Sequence, residues 1–266
     1  MTCGSDVALE SMEYVFPQST LDTAGFDADA HDYDYADCGT RRNSARRAIP
    51  YEMGFMKNVL LRALNNIYSL GVSDDIMTQK AEFEKYIVGV CGVLLVHIQG
   101  DINFFTTPSQ SGIVLSDEAV LGNECLPELK DIVEDVKRLQ EVLRGWVESG
   151  DYDSSQLLDL LAFGPDLAKR MHAQVNAVDV DRLIEVVDEE EVKEMLSANV
   201  EWFAGHNDLP FLIPFLQAHH DIETSSHWPP ITEEGRQVLP VLAEQYAGYV
   251  DTLPFFTQPS PLMAPG

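Results

Sequence analysis

The chain has 266 residues, 44 acidic against 17 basic, with a formal net charge of −27. That length allows one large or two small domains with a substantial core. The charge repels nucleic acid and anionic lipid, so neither is expected as a partner, and four cysteines without CxxC spacing (Cys3, Cys38, Cys91, Cys125) fit a reducing compartment rather than a zinc site.

The first residues, Met1-Thr-Cys-Gly-Ser-Asp6, lack the basic and apolar segments of a signal peptide. The longest apolar run, near 86–98, is too short to span a bilayer. A soluble cytoplasmic protein is the expectation. Residues 1–49 are rich in Asp, Ser, Thr and Tyr without a sustained period, and read as an arm of low regular structure. The acidic stretch 27–37 lacks the central Gly and closing Glu of an EF-hand loop, so its carboxylates are expected to be solvated. Arg41, Arg42, Arg46 and Arg47 follow as a charged surface turn.

From Pro50 the pattern turns helical. Phe55, Val59, Leu60, Ala63, Leu64, Ile67 and Tyr68 recur at helical steps up to Gly71. Ser73-Asp74-Asp75 is expected to cap a second helix. Phe83, Tyr86, Ile87 and Val90 lead that helix into a stretch that is apolar almost all round and then presents His97 and Asp101. The spacing i, i+4 puts imidazole and carboxylate on one face, one turn apart, and a helix apolar all round belongs inside a bundle. Pro108–Gly122 reads as a loop, and Leu129 to Trp146 as a third amphipathic helix. Ser154-Ser155 opens a short helix through Leu161, and Asp166 to about Val175 starts a fourth main helix. The acidic stretch Asp188–Glu194 reads as a solvated helix face. Helical character is expected to give way at Leu209-Pro210 and return over Glu233–Tyr249. Strand signals are scarce, so the expected fold class is all-α, with a helical domain over 50–250 and a tail over 251–266.

Three stretches resemble the fungal hemerythrin-like family. Met56-Lys-Asn-Val-Leu-Leu-Arg-Ala-Leu-Asn-Asn-Ile-Tyr68 is similar to its helix beginning His-Asn-x-Leu-x-Arg-x-Leu-Asn-x-Ile-Tyr. His97-Ile-Gln-Gly-Asp101 with Phe104-Phe105 is similar to its His-x-x-x-Glu followed by Leu-Phe-Pro. Pro210-Phe-Leu, His220-Asp221 and Trp228-Pro-Pro-Ile231 resemble its C-terminal Pro-Phe, His-Asp and Trp-Pro-Pro-Met/Ile. The resemblance covers residues 50–250 and implies an up-down four-helix bundle with additional C-terminal helices. It also implies a di-iron centre held by histidines on all four bundle helices and bridging carboxylates.

The departures from that pattern decide the chemistry. No histidine lies between His31 and His97, or between His97 and His172. Lys57 or Met56 sits near the ligand position of the first helix, Lys137 near one of the third, and Arg170 and Gln174 stand where the fourth helix of the family carries His-x-x-x-Glu. Lysine and arginine offer protons and positive charge, and no lone pair for iron. The expectation is no metal and no cofactor.

The catalytic candidates are His97, Asp101, Arg170 and His172; the substrate-binding candidates are Lys57, Gln174, Phe104 and Trp202. They are expected to converge around a bundle cavity, with His97 as acid/base, Asp101 fixing its tautomer, and Arg170 or Lys57 stabilising an enolate or carbonyl oxygen. His219 and His220 read as helix-end residues with a structural role. The function implied is a metal-independent enzyme that isomerises or cyclises a small hydrophobic polyketide- or terpenoid-like substrate in fungal secondary metabolism, as a monomer or homodimer. The alternatives are a residual iron/O2 protein, a non-catalytic small-molecule binder, and a magnesium-dependent terpene cyclase. The last rests on Asp74-Asp75-Ile-Met-Thr78-Gln-Lys-Ala-Glu82, which fits the diphosphate-binding pattern of those enzymes but has no convincing Asp-rich partner motif.

Overall fold

The computed structural model describes residues 45–220, apart from residues 74, 75, 77 and 123 and the side chains of 45, 47, 48 and 51. The expectations for the arm up to residue 44, for Asp74 and Asp75, and for everything from Asp221 on lie outside the described residues. The described chain is all-α, and no strand occurs in it. Its helices are α1 (Ala45–Leu70), α2 (Lys80–Thr106), α3 (Glu118–Leu121), α4 (Lys130–Ser149), α5 (Ser154–Leu160), α6 (Gly164–Ala177), α7 (Val180–Val186), α8 (Glu189–His206) and α9 (Leu209–His219).

Several ends differ from the sequence pattern, each for a visible reason. α1 starts at Ala45, with Pro50 inside it. Proline there removes one backbone hydrogen bond, but tertiary anchors hold the extra turn: Ile49 is buried, and Arg46 Nε donates to Glu189 Oε2 at 2.8 Å. The Arg46 guanidinium also donates to the carbonyls of Ile184 and Val187. α2 begins at Lys80 with Gln79 at its N-cap, so the cap expected at Ser73 does not serve it. The segment expected to lose helicity at Leu209 is α9. Pro210 lies in the first turn, where its missing N–H costs nothing. Pro214 lies inside the helix, and burial of Phe211, Leu212 and Phe215 outweighs its lost bond. The expected loop 108–122 contains the short α3, and α7 had no signal in the apolar periodicity.

By length and composition alone α2 could cross a membrane. The run 86–98 looked too short because it is only the middle of a 27-residue helix. More than half of its apolar window is buried by the rest of the protein, since α2 packs against α1, α4 and α8.

Two apolar clusters form the core. The larger takes Leu60 and Leu64 of α1, Ile87 and Leu94 of α2, Val136 and Leu139 of α4, Leu167 and Met171 of α6, and Phe211 and Phe215 of α9. The smaller takes Ile49 and Met53 of α1, Phe104 and Phe105 of α2, and residues of α3, α7 and α8. Helices α1 and α2 run through both clusters. Along α1 the change falls between Met53 and Phe55, and along α2 between Ile98 and Phe104.

One contact sets how closely α9 approaches α2. A methyl group at Gly89 would come within 2.4 Å of the Phe211 ring. Alanine favours a helix over glycine by about 1 kcal/mol, yet here overpacking wins. Gly89→Ala should destabilise the fold by about 1–3 kcal/mol. Urea unfolding checks this, and a stabilised Gly89→Ala protein would contradict the packing of α9.

Candidate functional site

The polar group of greatest interest stands where the two apolar clusters meet. On α1, Lys57 precedes Leu60, Leu61 and Leu64 at helical spacing, so its side chain enters the core, where it is 0% exposed. On α2, His97 and Asp101 lie one turn apart and face α1; both are buried. Lys57 Nζ donates to His97 Nε2 at 3.1 Å and forms an ion pair with Asp101 Oδ2 in direct contact. His97 Nε2 is 3.5 Å from the same carboxylate oxygen, and the ring of Phe203 on α8 lies perpendicular to the imidazole with centroids 6.3 Å apart.

Electrostatics assigns each group a state. A buried ion needs a partner, and Asp101 and Lys57 supply each other with one. Burial holds the His97 imidazole well below its ordinary range, to about 4; Asp101 opposes the shift and Lys57 reinforces it. His97 is therefore neutral near pH 7. Its Nε2 accepts from the ammonium, so the ring proton is on Nδ1. Lys57 joins the expected His97–Asp101 pair as a third member, since its ammonium contacts both His97 Nε2 and Asp101 Oδ2.

Arg170 does not join this group. It faces outward, where its guanidinium forks onto Asp131 at 2.6 and 2.7 Å and also reaches Asp166 and the Glu128 carbonyl. Those carboxylates hold its pKa above the ordinary range, and it holds that of Asp131 below. It ties α6 to the start of α4. The reason is spacing: Leu167, Met171 and Gln174 form the buried face of α6, and Arg170 falls beside it. His172 is half-buried on the same helix. Gln174 is buried, and among the described residues no donor reaches its Oε1. Lys137 is exposed and pairs with Glu134.

The cavity lies beside the group rather than around it. It measures about 360 Å³ between the C-terminal end of α2, residues 107–110 and α8. Phe104, Met195, Ala198 and Trp202 give it apolar walls, and Glu191 and Glu194 are its charged side chains. Lys57, His97 and Asp101 do not line it. Trp202 connects the two features, since its ring crosses α2 at Gly100, where an added methyl would lie 3.1 Å away. Phe104 follows Asp101 by one turn. Of the expected residues, Lys57, His97 and Asp101 converge, and Phe104 and Trp202 meet at the cavity. The acidic stretch read as a solvated face is partly a clamp. Glu189 holds Arg46, Glu191 accepts from the Ser111 backbone N–H and hydroxyl, and Glu194 accepts from Gln110 Nε2.

The sequence reading missed a second buried polar cluster at the other end of α1. Tyr86 Oη lies 2.8 Å from His219 Nε2 and accepts from Asn66 Nδ2. Arg62 donates to the His219 carbonyl. Burial, with Arg62 adding to it, lowers the His219 imidazole to about 4. The neutral imidazole accepts from the Tyr86 hydroxyl and ties the end of α9 to the bundle. An apolar C-terminal segment ending in histidine was its signal in the chain.

These two histidines predict acid sensitivity. In the unfolded chain an imidazole titrates near 6.5; in the fold both titrate near 4. Between those values the unfolded chain binds more protons, so stability falls as the pH drops from about 6.5 to 4, and is unaffected by these groups above that window. Each should remove roughly 1–2 kcal/mol between pH 7 and 5. Urea unfolding at the two pH values checks this, and an unchanged pH slope in His97→Gln and His219→Gln would contradict it.

The donor set does not fit the di-iron centre that the resemblance implies. Among the described residues no three His, Cys, Asp or Glu side chains group closely enough to hold a metal ion. An ammonium bonded to both His97 and Asp101 fills the place where a metal would draw them together. Thr78 and Glu82, of the diphosphate-like motif, lie at the opposite end of α2 from the cavity, about 30 Å along the helix. No family model, curated protein or solved structure matches the chain.

Proposed function

We propose that this chain is a cytoplasmic, metal-independent enzyme on a degenerate hemerythrin-like bundle. It binds a small, largely apolar molecule in the cavity between α2 and α8, and isomerises or cyclises it by proton transfer at Lys57, His97 and Asp101. The observation that carries the reading is a charge-balanced ammonium, imidazole and carboxylate in an apolar interior, one helical turn from the wall of a cavity. Cavities of roughly 300–1,000 Å³ with apolar walls and a few polar groups are the usual form of small-molecule sites.

Each group has a role in this reading. Lys57 Nζ donates a proton or a hydrogen bond to an oxygen that gains negative charge, in a setting that excludes water. His97 Nε2 becomes an accepting lone pair once Lys57 turns to the substrate, and takes a proton from carbon or oxygen. Asp101 balances whichever neighbour is positive. Trp202 and Phe104 form the partition, and a swing of Trp202 off Gly100 opens the path from the cavity to the group. A non-catalytic binder is the second reading, favoured by the absence of the three groups from the cavity wall.

The test begins with the protein purified from cells and extracted with organic solvent. A co-purifying small molecule, returned to the stripped protein in deuterium oxide, should rearrange and gain deuterium at carbon. Binding without rearrangement or exchange supports the second reading. The proposal as a whole fails when no molecule co-purifies and an uncharged apolar dye such as N-phenyl-1-naphthylamine binds wild type and Trp202→Ala alike.

A further inference from the structure

The cavity has one sign of charge. Glu191 and Glu194 are its charged side chains, and neither Lys nor Arg lines it. Both carboxylates accept hydrogen bonds from uncharged donors: the Ser111 backbone N–H and hydroxyl for Glu191, and Gln110 Nε2 for Glu194. Neutral donors orient a carboxylate without cancelling its charge. The nearby basic groups are engaged elsewhere, Lys193 with Glu190 and Arg46 with Glu189. The walls below this rim are apolar, and one is the indole of Trp202. An indole face attracts cations, and two negative charges beside low-dielectric walls raise the local concentration of a positive ligand.

From this we infer that the cavity takes an organic ammonium ion, an amine nitrogen on an apolar body, and rejects carboxylates and phosphates. The inference rests on the reading of the cavity as the ligand site and narrows the substrate class of that reading. The apolar body lies against Phe104, Met195 and Trp202, and the ammonium lies at the rim between Glu191 and Glu194. An acid of the same shape would bring its carboxylate against two others with no cation to offset it.

Three probes with one carbon skeleton separate charge from shape: 4-phenylbutylamine, 4-phenylbutan-1-ol and 4-phenylbutyrate. Calorimetric titration of the full chain at pH 7.5 and 150 mM salt should show the amine binding once per chain, at least tenfold more tightly than the alcohol, with no binding of the acid. The double variant Glu191→Gln/Glu194→Gln keeps one accepting oxygen at each position, so the Ser111 backbone N–H and Gln110 Nε2 keep their acceptors, and the Ser111 hydroxyl turns to accept from the new amide at 191. It should bring the amine down to the alcohol's affinity and leave the alcohol unchanged. Equal binding of amine and alcohol to wild type, or tightest binding of the acid, overturns the charge class while the cavity stands as a ligand site. If no probe binds, or if Met195→Trp, which fills the cavity, leaves all binding intact, the cavity itself is not the site and both readings fall.

Discussion

Replacing Lys57 with Met should cost about 3–5 kcal/mol of folding stability, as expected when one partner of a buried ion pair is removed. Lys57 is 0% exposed and Asp101 nearly so, so the loss leaves a carboxylate in an apolar interior with little access to water. The double variant Lys57→Met/Asp101→Leu removes both charges and should regain most of that stability, because a well-packed apolar pair is often as stable as the ion pair it replaces. Urea unfolding of the three proteins provides the comparison. A Lys57→Met protein as stable as wild type would show that Asp101 reaches solvent and that the core is not arranged as described. Recovery in the double variant would also show that the charges are unnecessary for folding stability.

The second large effect is on turnover. His97→Ala should lower the rate with the co-purified substrate by about two to four orders of magnitude, the usual loss when a positioned acid/base is removed. His97→Gln separates chemistry from structure. Glutamine can accept from Lys57 Nζ but cannot take up a proton, so it should keep the fold and lose the rate. If His97→Gln turns over normally, Lys57 and Asp101 carry the proton without the imidazole. If both variants lose only stability, the group is a structural ion pair.

Much of the bundle was legible because periodicity reports burial directly. The face of α1 from Phe55 to Tyr68 and that of α4 from Ile132 to Trp146 both pack as their spacing implies. What sequence spacing could not supply was rotation about a helix axis. Arg170 lies one residue from Met171, which is fully buried, and that single step turns it outward to Asp131. Lys57 was singled out only through its place near the ligand position of the resembled family's first helix; its inward turn, in step with Leu60, Leu61 and Leu64, is seen in the fold. The helical state of Leu209–His219 was hidden by its prolines, because local propensity counts against them and the burial that outweighs it comes from α1 and α2. The Tyr86–His219 bond joins residues 133 positions apart, and no local pattern announces such a pair.

Trp202 lies against the His206 imidazole, with ring centroids 4.1 Å apart and planes 21° from parallel. His206 is exposed and its Nδ1 meets the Trp202 carbonyl at 2.7 Å. An indole in that position is a built-in chromophore: its emission responds to the ring stacked on one side and to whatever fills the space it borders. The chain thus carries its own optical gauge of occupancy, readable as the difference in emission between wild type and Trp202→Phe, without any label.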